Sequence, residues 1–366
     1  MASTTRDQLT VFVLFHNLGG DRAYATDCLA SLERSVDDRI WFELIDDGST
    51  DDTPQLLERA AQRLPRTRVF RHDRAHGAAA ARNGALQRVD TMWFTFLDGD
   101  DWVRPGYFPA LLDDATRIGV PWLRVDHIAT TGKERLMTRL PTGARGRIMN
   151  PRDAIGPGHR TTAVDFAHSW GGLYHRSIAE ENLWWFPPNL RTAEDRPGIW
   201  NLHLKVDAFT VSDICGLHYR RGTPTSLTMV TDERQLDIVE SMRLMSEVVA
   251  ADHEADRFAT KVVRTWAGLF AYHYLNRHRL PASLRQRFMV DADALLATAD
   301  PDLLEDVLTV MPESRRQSVR SLRRQATVLR TMGHTPTPAV DAGPWGATTG
   351  LTEAVGYIDS SGACHG

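Results

Sequence analysis

Cysteine is nearly absent from this chain. Cys28, Cys215 and Cys364 are the three among 366 residues, far apart and in no Cys-x-x-Cys arrangement, which fits neither a disulfide framework nor a cysteine-based structural zinc site. A reducing cytoplasm is therefore the expected location. Long apolar runs are missing too: nothing reaches the roughly eighteen apolar residues of a membrane span, and the N-terminal "VFVLF" is too short and too poorly flanked for a signal peptide. Positive charge is not in excess. Lys and Arg total 43 against 47 Asp and Glu, a formal net charge of -4, so no global field gathers nucleic acid or an anionic membrane, and any anion-binding site must be local. No internal repeat is visible. The first apolar run is not followed by a Gly-rich basic loop for a triphosphate, which argues against a nucleotidyltransferase.

What is present is the material of a large soluble core, with 42% hydrophobic and 25% charged residues. "VFVLF" (11–15), "IWFELID" (40–46), "TRVFRH" (67–72) and "TMWFTFL" (91–97) are short apolar runs of strand composition. Between them lie three helical patterns: 23–34, "TPQLLERAAQRL" with Thr53 as the expected N-cap and Pro54 in the first turn, and "AAAARNGALQRV". This alternation predicts a mostly parallel sheet covered on both faces, whose ligands bind beyond the carboxyl ends of the strands. "PWLRVDHIA", "DFAHSWGGLYH" and "AFTVSDICGLHYR" are further strand candidates. Helix formers dominate from about 232 to 330, and a Pro/Gly/Thr-rich segment follows from Gly333.

Two acidic clusters, Asp46-Asp47 and Asp98-Gly99-Asp100-Asp101, stand at strand carboxyl ends. Carboxylates this close repel each other unless they are solvated or neutralised by a cation. A compact acidic turn suits Mg2+ or Mn2+, which prefer oxygen ligands.

The order "LFHN", "LIDDGSTDDT", "ARNGAL", "LDGDDWVRPG" and "RTAEDRPGIW" resembles the family 2 inverting glycosyltransferases of the GT-A fold, over roughly residues 9 to 230. The implied fold class is α/β, a Rossmann-like GT-A domain with a mixed, mostly parallel sheet and a C-terminal helical appendage. The expected domains are 1–230, split into a nucleotide-binding half (1–105) and an acceptor-binding half (106–230), then a helical region 231–332 and a flexible tail 333–366. The resemblance implies transfer of a sugar from a UDP-sugar or dTDP-sugar to an acceptor hydroxyl, assisted by Mn2+ or Mg2+. Asp100 binds the metal, with His218 as a further ligand. Asp98 meets the ribose or metal-bound water, with Asp101 behind it. Phe15, His16 and Asn17 line the nucleotide site, with His16 beside the base, and Asp47 accepts the uracil N3–H. Arg82 reaches the nucleotide or its phosphates, and Arg220 and Arg221 meet the diphosphate from a closing loop, "LHYRRGTPTSLT". Asp195 is the general base, with Glu194 as its neighbour. Trp184, Trp185 and Phe186 offer aromatic faces suited to sugars, although such clusters are as often core.

Bacterial transferases that decorate teichoic-acid-like polymers have a similar GT-A part followed by helices, and "RRQSVRSLRRQ" (315–325) offers a cationic stretch to such a polymer. A peptide or small-molecule acceptor fits the same motifs. The helical region is a candidate surface for homo-oligomers. A catalytically degenerate sugar-binding protein is the rival reading, and it should lose the metal acid or the base; Asp98, Asp100 and Asp195 are all retained.

Overall fold

The structure is a computed structural model, and it describes residues 8–20, 22–142, 144–222, 230–338, 357–358 and 364–365. The first half alternates as the sequence predicts: β1 (Leu9–Phe15), α1 (Arg22–Glu33), β2 (Ile40–Asp46), α2 (Thr53–Ala61), β3 (Thr67–Arg71), α3 (Ala78–Gln87) and β4 (Trp93–Asp98). β1 pairs in parallel with β2 and β4, and β2 with β3. Its side chains alternate between two cores. Leu9, Val11, Val13 and Phe15 join one beneath α1 and α2, whereas Phe12 and Leu14 join the other, so a continuous apolar run is what a strand buried on both faces requires.

The chain continues through β5 (Trp102–Val103), α4 (Tyr107–Ile118), β6 (Trp122–Arg124), β7 (His127–Thr131), β8 (Glu134–Thr138), β9 (Gly172–His175), α5 (Ser177–Glu180), α6 (Asp195–Lys205), β10 (Phe209–Val211) and β11 (Leu217–Arg220). β9 enters antiparallel between β4 and β6, and β10 lies outside β6, which makes the sheet mixed. A second sheet, in the order β5-β11-β7-β8, lies at the acidic turn. Two strand candidates each divide in two. "PWLRVDHIA" supplies β6 and β7, and "AFTVSDICGLHYR" supplies β10 and β11, because each run leaves one sheet and enters the other. Thr53 is also not the N-cap expected. It is the first helical residue of α2, its N–H donates to Asp51 Oδ1 at 2.9 Å, and its hydroxyl accepts from the Leu18 N–H at 2.9 Å.

The helical region holds α7 (Asp237–Ala250), α8 (Ala255–Leu275), α9 (Ala282–Leu296), α10 (Pro301–Val310) and α11 (Glu313–Thr331). One contiguous core runs from Phe12, Phe94 and Trp122 of the sheet through Trp200 to Met242, Trp266, Phe288 and Leu322. Buried Lys261 of α8 donates to the Arg160 carbonyl at 2.7 Å and pairs with Asp165. Arg152 forks onto Asp252, whose carboxylate is fully buried. The expected flexible tail carries two short strands, Tyr357–Ile358 and Cys364–His365, and the first pairs antiparallel with β3. β3 would otherwise leave an open sheet edge, and an open edge is a template for pairing.

Candidate active site

The acidic turn is set by the close approach of β4 to β1. The Gly99 N–H donates to the Leu14 carbonyl at 2.8 Å. A Cβ at Gly99 would stand 2.4 Å from the Phe15 ring and 2.7 Å from that carbonyl, so only glycine fits between the acids. Asp101 is fully buried beneath the turn and accepts the Arg220 N–H at 2.6 Å, while its Oδ2 has no hydrogen-bond partner. Burial, then the Asp98 charge, pushes Asp100 up to about 6. Burial, then Asp100 and Asp98, holds Asp101 well above the usual carboxylate range. An orphaned buried carboxylate oxygen among three mutually repelling acids is a site short of positive charge. An oxygen-bound divalent cation fits it.

Asp98 ends β4 with its side chain partly exposed, and the Arg82 guanidinium donates to it at 2.8 Å. The other arm of Arg82 donates to Glu194 at 2.6 Å. Arg82 itself is buried, so the residue expected to reach towards the nucleotide is instead committed to two carboxylates. It joins α3 to the acidic turn and to the start of α6.

Glu194 is buried, and Asp195 follows it as the first residue of α6. Burial, then the adjacent Glu194 carboxylate, raises Asp195 to about 7, against the opposing pull of Arg196 and Arg82. The backbone just before this pair is strained: Ala193 has φ of +59°, and Ser241 of α7 donates to its carbonyl at 2.7 Å. A non-glycine residue held in the left-handed region costs about 1–3 kcal/mol and is sustained by its surroundings. Trp184 and Phe186, offered as sugar platforms, are core residues packed on Phe96.

The "DDGST" turn also differs from expectation. Asp47 spends both oxygens on the chain, accepting from His72 Nδ1 at 2.8 Å, from the His76 N–H at 2.9 Å and from the Gly77 N–H at 2.8 Å. These bonds hold its carboxyl below the usual range in spite of burial. Asp46 accepts the Ser49 N–H at 3.0 Å through Oδ1, while Oδ2 has no hydrogen-bond partner and lies 3.2 Å from the half-exposed Arg71 guanidinium. Gly48, which follows them, has φ of +61°, and a Cβ there would meet the Arg74 backbone at 2.0 Å. Phe15 is buried, and its carbonyl accepts the Asp47 N–H at 2.9 Å. Exposed His16 bonds the Asp47 carbonyl at 2.7 Å, and Asn17, with φ of +49°, accepts from the Thr50 N–H at 2.9 Å. β1 and β2 are thus cross-tied at their carboxyl ends. Asp47, His72 and His76 also form a compact set of donor atoms.

On β11, His218 stacks on Trp102 with ring centroids 4.8 Å apart, and its Nδ1 is buried without a partner. Arg220 lies over the same indole, donates to the Asp100 carbonyl at 2.7 Å and pairs with Asp27. Arg221 is exposed and, among the described residues, makes no ion pair; residues 223–229 of the expected closing loop lie outside the described residues. Tyr219, His127, His168 and Trp170 form one aromatic cluster that sequence reasoning missed. Burial pushes His127 down to about 4 and His168 well below the usual imidazole range. The four come from three separate segments, and no spacing rule links them.

Comparison with known proteins places this geometry. Residues 10–183 match the sequence model described as "Glycosyl transferase family 2". The chain is 24% identical to "Uncharacterized glycosyltransferase EpsJ" of Bacillus subtilis (strain 168), over 86% of this chain and 83% of that one. It is 25% identical to "Poly(ribitol-phosphate) beta-N-acetylglucosaminyltransferase TarS" of Staphylococcus aureus (strain Mu50 / ATCC 700699), over 63% of this chain but only 39% of that relative. Among solved structures, S. aureus TarS 1-349 in complex with UDP-GlcNAc superposes with a TM-score of 0.63 at 17% identity, covering 92% of this chain and 95% of that one. The shared fold is GT-A.

Proposed function

From the premise that this chain is a GT-A transferase carrying a family 2 glycosyltransferase domain, we propose that it moves a sugar from a UDP-sugar to an acceptor hydroxyl with inversion, Asp195 acting as the base. UDP-GlcNAc, the ligand in the solved TarS complex, is the first donor to test, with dTDP-sugars next. One observation carries the reading. A single buried guanidinium, Arg82, spans the acid that ends β4 and the acid pair that opens α6. That arrangement sets a donor-side carboxylate group against a base on its other flank, as a single displacement requires.

In this reading Asp195 takes the proton of the acceptor hydroxyl, the acceptor oxygen bonds the anomeric carbon, and the bond from that carbon to the diphosphate breaks, releasing UDP. Its raised pKa suits the task, since a base poised near 7 is available at neutral pH and still strong enough to accept a proton. Glu194, held by Arg82, keeps that pKa raised. Asp100, with Asp98 and Asp101 beside it in the turn, would hold Mn2+ or Mg2+, whose charge when bound neutralises the departing diphosphate; His218 is the further ligand the sequence offers. Of the arginines expected at the diphosphate, Arg221 makes no ion pair among the described residues and is assigned to it. Recognition of the uracil N3–H falls to the acidic turn that ends β2, where Asp47 Oδ2 accepts a single bond, from the Gly77 N–H. The acceptor hydroxyl belongs to a cell-wall polymer, a peptide or a small molecule.

The test is transfer from UDP-GlcNAc into acceptor pools, with the anomer of the product read by proton NMR. An α-linked donor giving a β-linked product, lost in Asp195→Asn, supports the reading. Retention of configuration would sink it.

A further inference from the structure

The basic stretch 315–325 is not the cationic surface its sequence suggests. Arg316 pairs with Glu313, Arg320 with Glu305, and Arg323 with Asp293. Arg315 has no acid within ion-pair distance among the described residues. It turns instead to a groove of about 320 Å³, which it shares with Arg264 of α8 and Arg196 of α6. Arg196 also lacks an ion pair among the described residues, and the one side-chain bond of Arg264 is a long contact of 3.5 Å to the Thr161 hydroxyl. The groove holds one acid, Asp165, and that charge is already spent on buried Lys261 and on the Thr162 N–H at 2.7 Å. On α7 and elsewhere on α8 arginines are matched to acids: Arg243 lies between Glu240 and Glu247, and Arg257 between Asp153 and Glu254. Three guanidinium groups gathered without a counter-charge repel one another, and an anion from outside relieves that repulsion.

The position of the groove ties it to the chemistry. Arg196 follows Asp195 directly in the chain, and its charge opposes the rise in the Asp195 pKa. Glu194, on the other side of Asp195, is turned to Arg82 and the acidic turn. Asp195 is thus flanked in the chain by a residue turned to the donor acids and by a residue that lines the arginine groove. Tyr272, with 46% of its surface exposed, adds an aromatic face to the groove wall. On a chain of net charge -4, a local site of this kind is what an anionic acceptor needs.

We propose that the groove of Arg196, Arg264 and Arg315 binds acidic groups of the acceptor, so that the hydroxyl glycosylated at Asp195 belongs to a molecule carrying phosphodiester or carboxylate groups beside it. The proposal rests on the glycosyl-transfer reading above for its mechanism, but its binding test does not. Calorimetry on the full chain would compare synthetic hexamers of glycerol phosphate, galacturonate and glucose, with inorganic phosphate as a further probe. Binding of the phosphodiester or the uronate hexamer, but not of the glucose hexamer, is expected, and which of the two binds identifies the acid. Arg264→Glu/Arg315→Glu should weaken that binding by about tenfold or more, and Arg264→Gln/Arg315→Gln by less, with UDP affinity unchanged in both. Equal binding of the glucose hexamer, no binding of either acidic hexamer, an unchanged affinity in the Glu variant, or inorganic phosphate binding as tightly as a hexamer would each overturn the proposal. Failure of the transfer reading shows elsewhere, as absence of UDP binding and of UDP-GlcNAc turnover in the unaltered protein.

Discussion

At the scale of single residues, protonation states decide what the site can do. In the proposed reading Asp195 acts as a base, which requires it ionised, and its carboxyl is raised to about 7 by burial and by Glu194. Turnover should therefore climb with pH to a plateau above about 7, and Glu194→Gln, which removes a like charge, should move that inflection to lower pH. A pH–rate profile unchanged in Glu194→Gln would mean that the two acids are not coupled as described. Asp195→Asn should lower kcat by roughly 10²–10⁴ and leave UDP affinity intact, measured by steady-state kinetics and calorimetry. Asp100→Ala removes one of three repelling acids, so the metal-free protein should melt no lower than the parent, while the added stability given by UDP with Mn2+ disappears. Asp47→Asn should lower the melting temperature, because its oxygens hold the backbone of His76 and Gly77. Two adjacent acids in "DDGST" carry no internal mark of how each is held. The sequence shows that acids end β2; only the partners at 71, 72, 76 and 77 assign them.

Among the elements, legibility follows the range of the forces involved. β1, β2 and β4 could be read because each is a short apolar run buried on both faces, and α2 because Pro54 stands in its first turn. The long helical run after 232 conceals the break between α7 and α8, where Asp252 turns inward to meet Arg152, a residue 100 positions earlier. The bridge made by Arg82 was not legible, since its partners lie 16 and 112 residues away. The tie of α8 to the segment around Asp165 makes a direct test of packing. Lys261→Met leaves the Asp165 carboxylate without its buried partner and should cost about 3–5 kcal/mol in chemical denaturation. Adding Asp165→Asn should recover most of that loss, since the pair is then removed as a unit. Equal losses in the single and double variants would make the ion pair incidental.

For the whole molecule, the boundary expected at 230 marks a change of composition and not of core. Ile199, Trp200 and Leu202 of α6 share one apolar cluster with Met242, Met245 and Trp266. A chain ending at 230 should therefore expose that face, bind hydrophobic dyes and aggregate, whereas the full chain should melt in one cooperative transition by calorimetry. Composition could announce helices, but not which surface of the sheet they cover, because both faces of a buried strand look alike in sequence. In the proposed reading Arg82 also couples the two substrates. Asp98 and Glu194 compete for the one cation of Arg82, so whatever neutralises Asp98 releases that cation towards the acids at the head of α6. Occupancy on the donor flank is thereby felt on the acceptor flank, and thermodynamic reciprocity requires the return effect to be equal. An acceptor should sharpen the affinity for UDP by the same factor by which UDP sharpens the affinity for the acceptor, a synergy written into a single side chain.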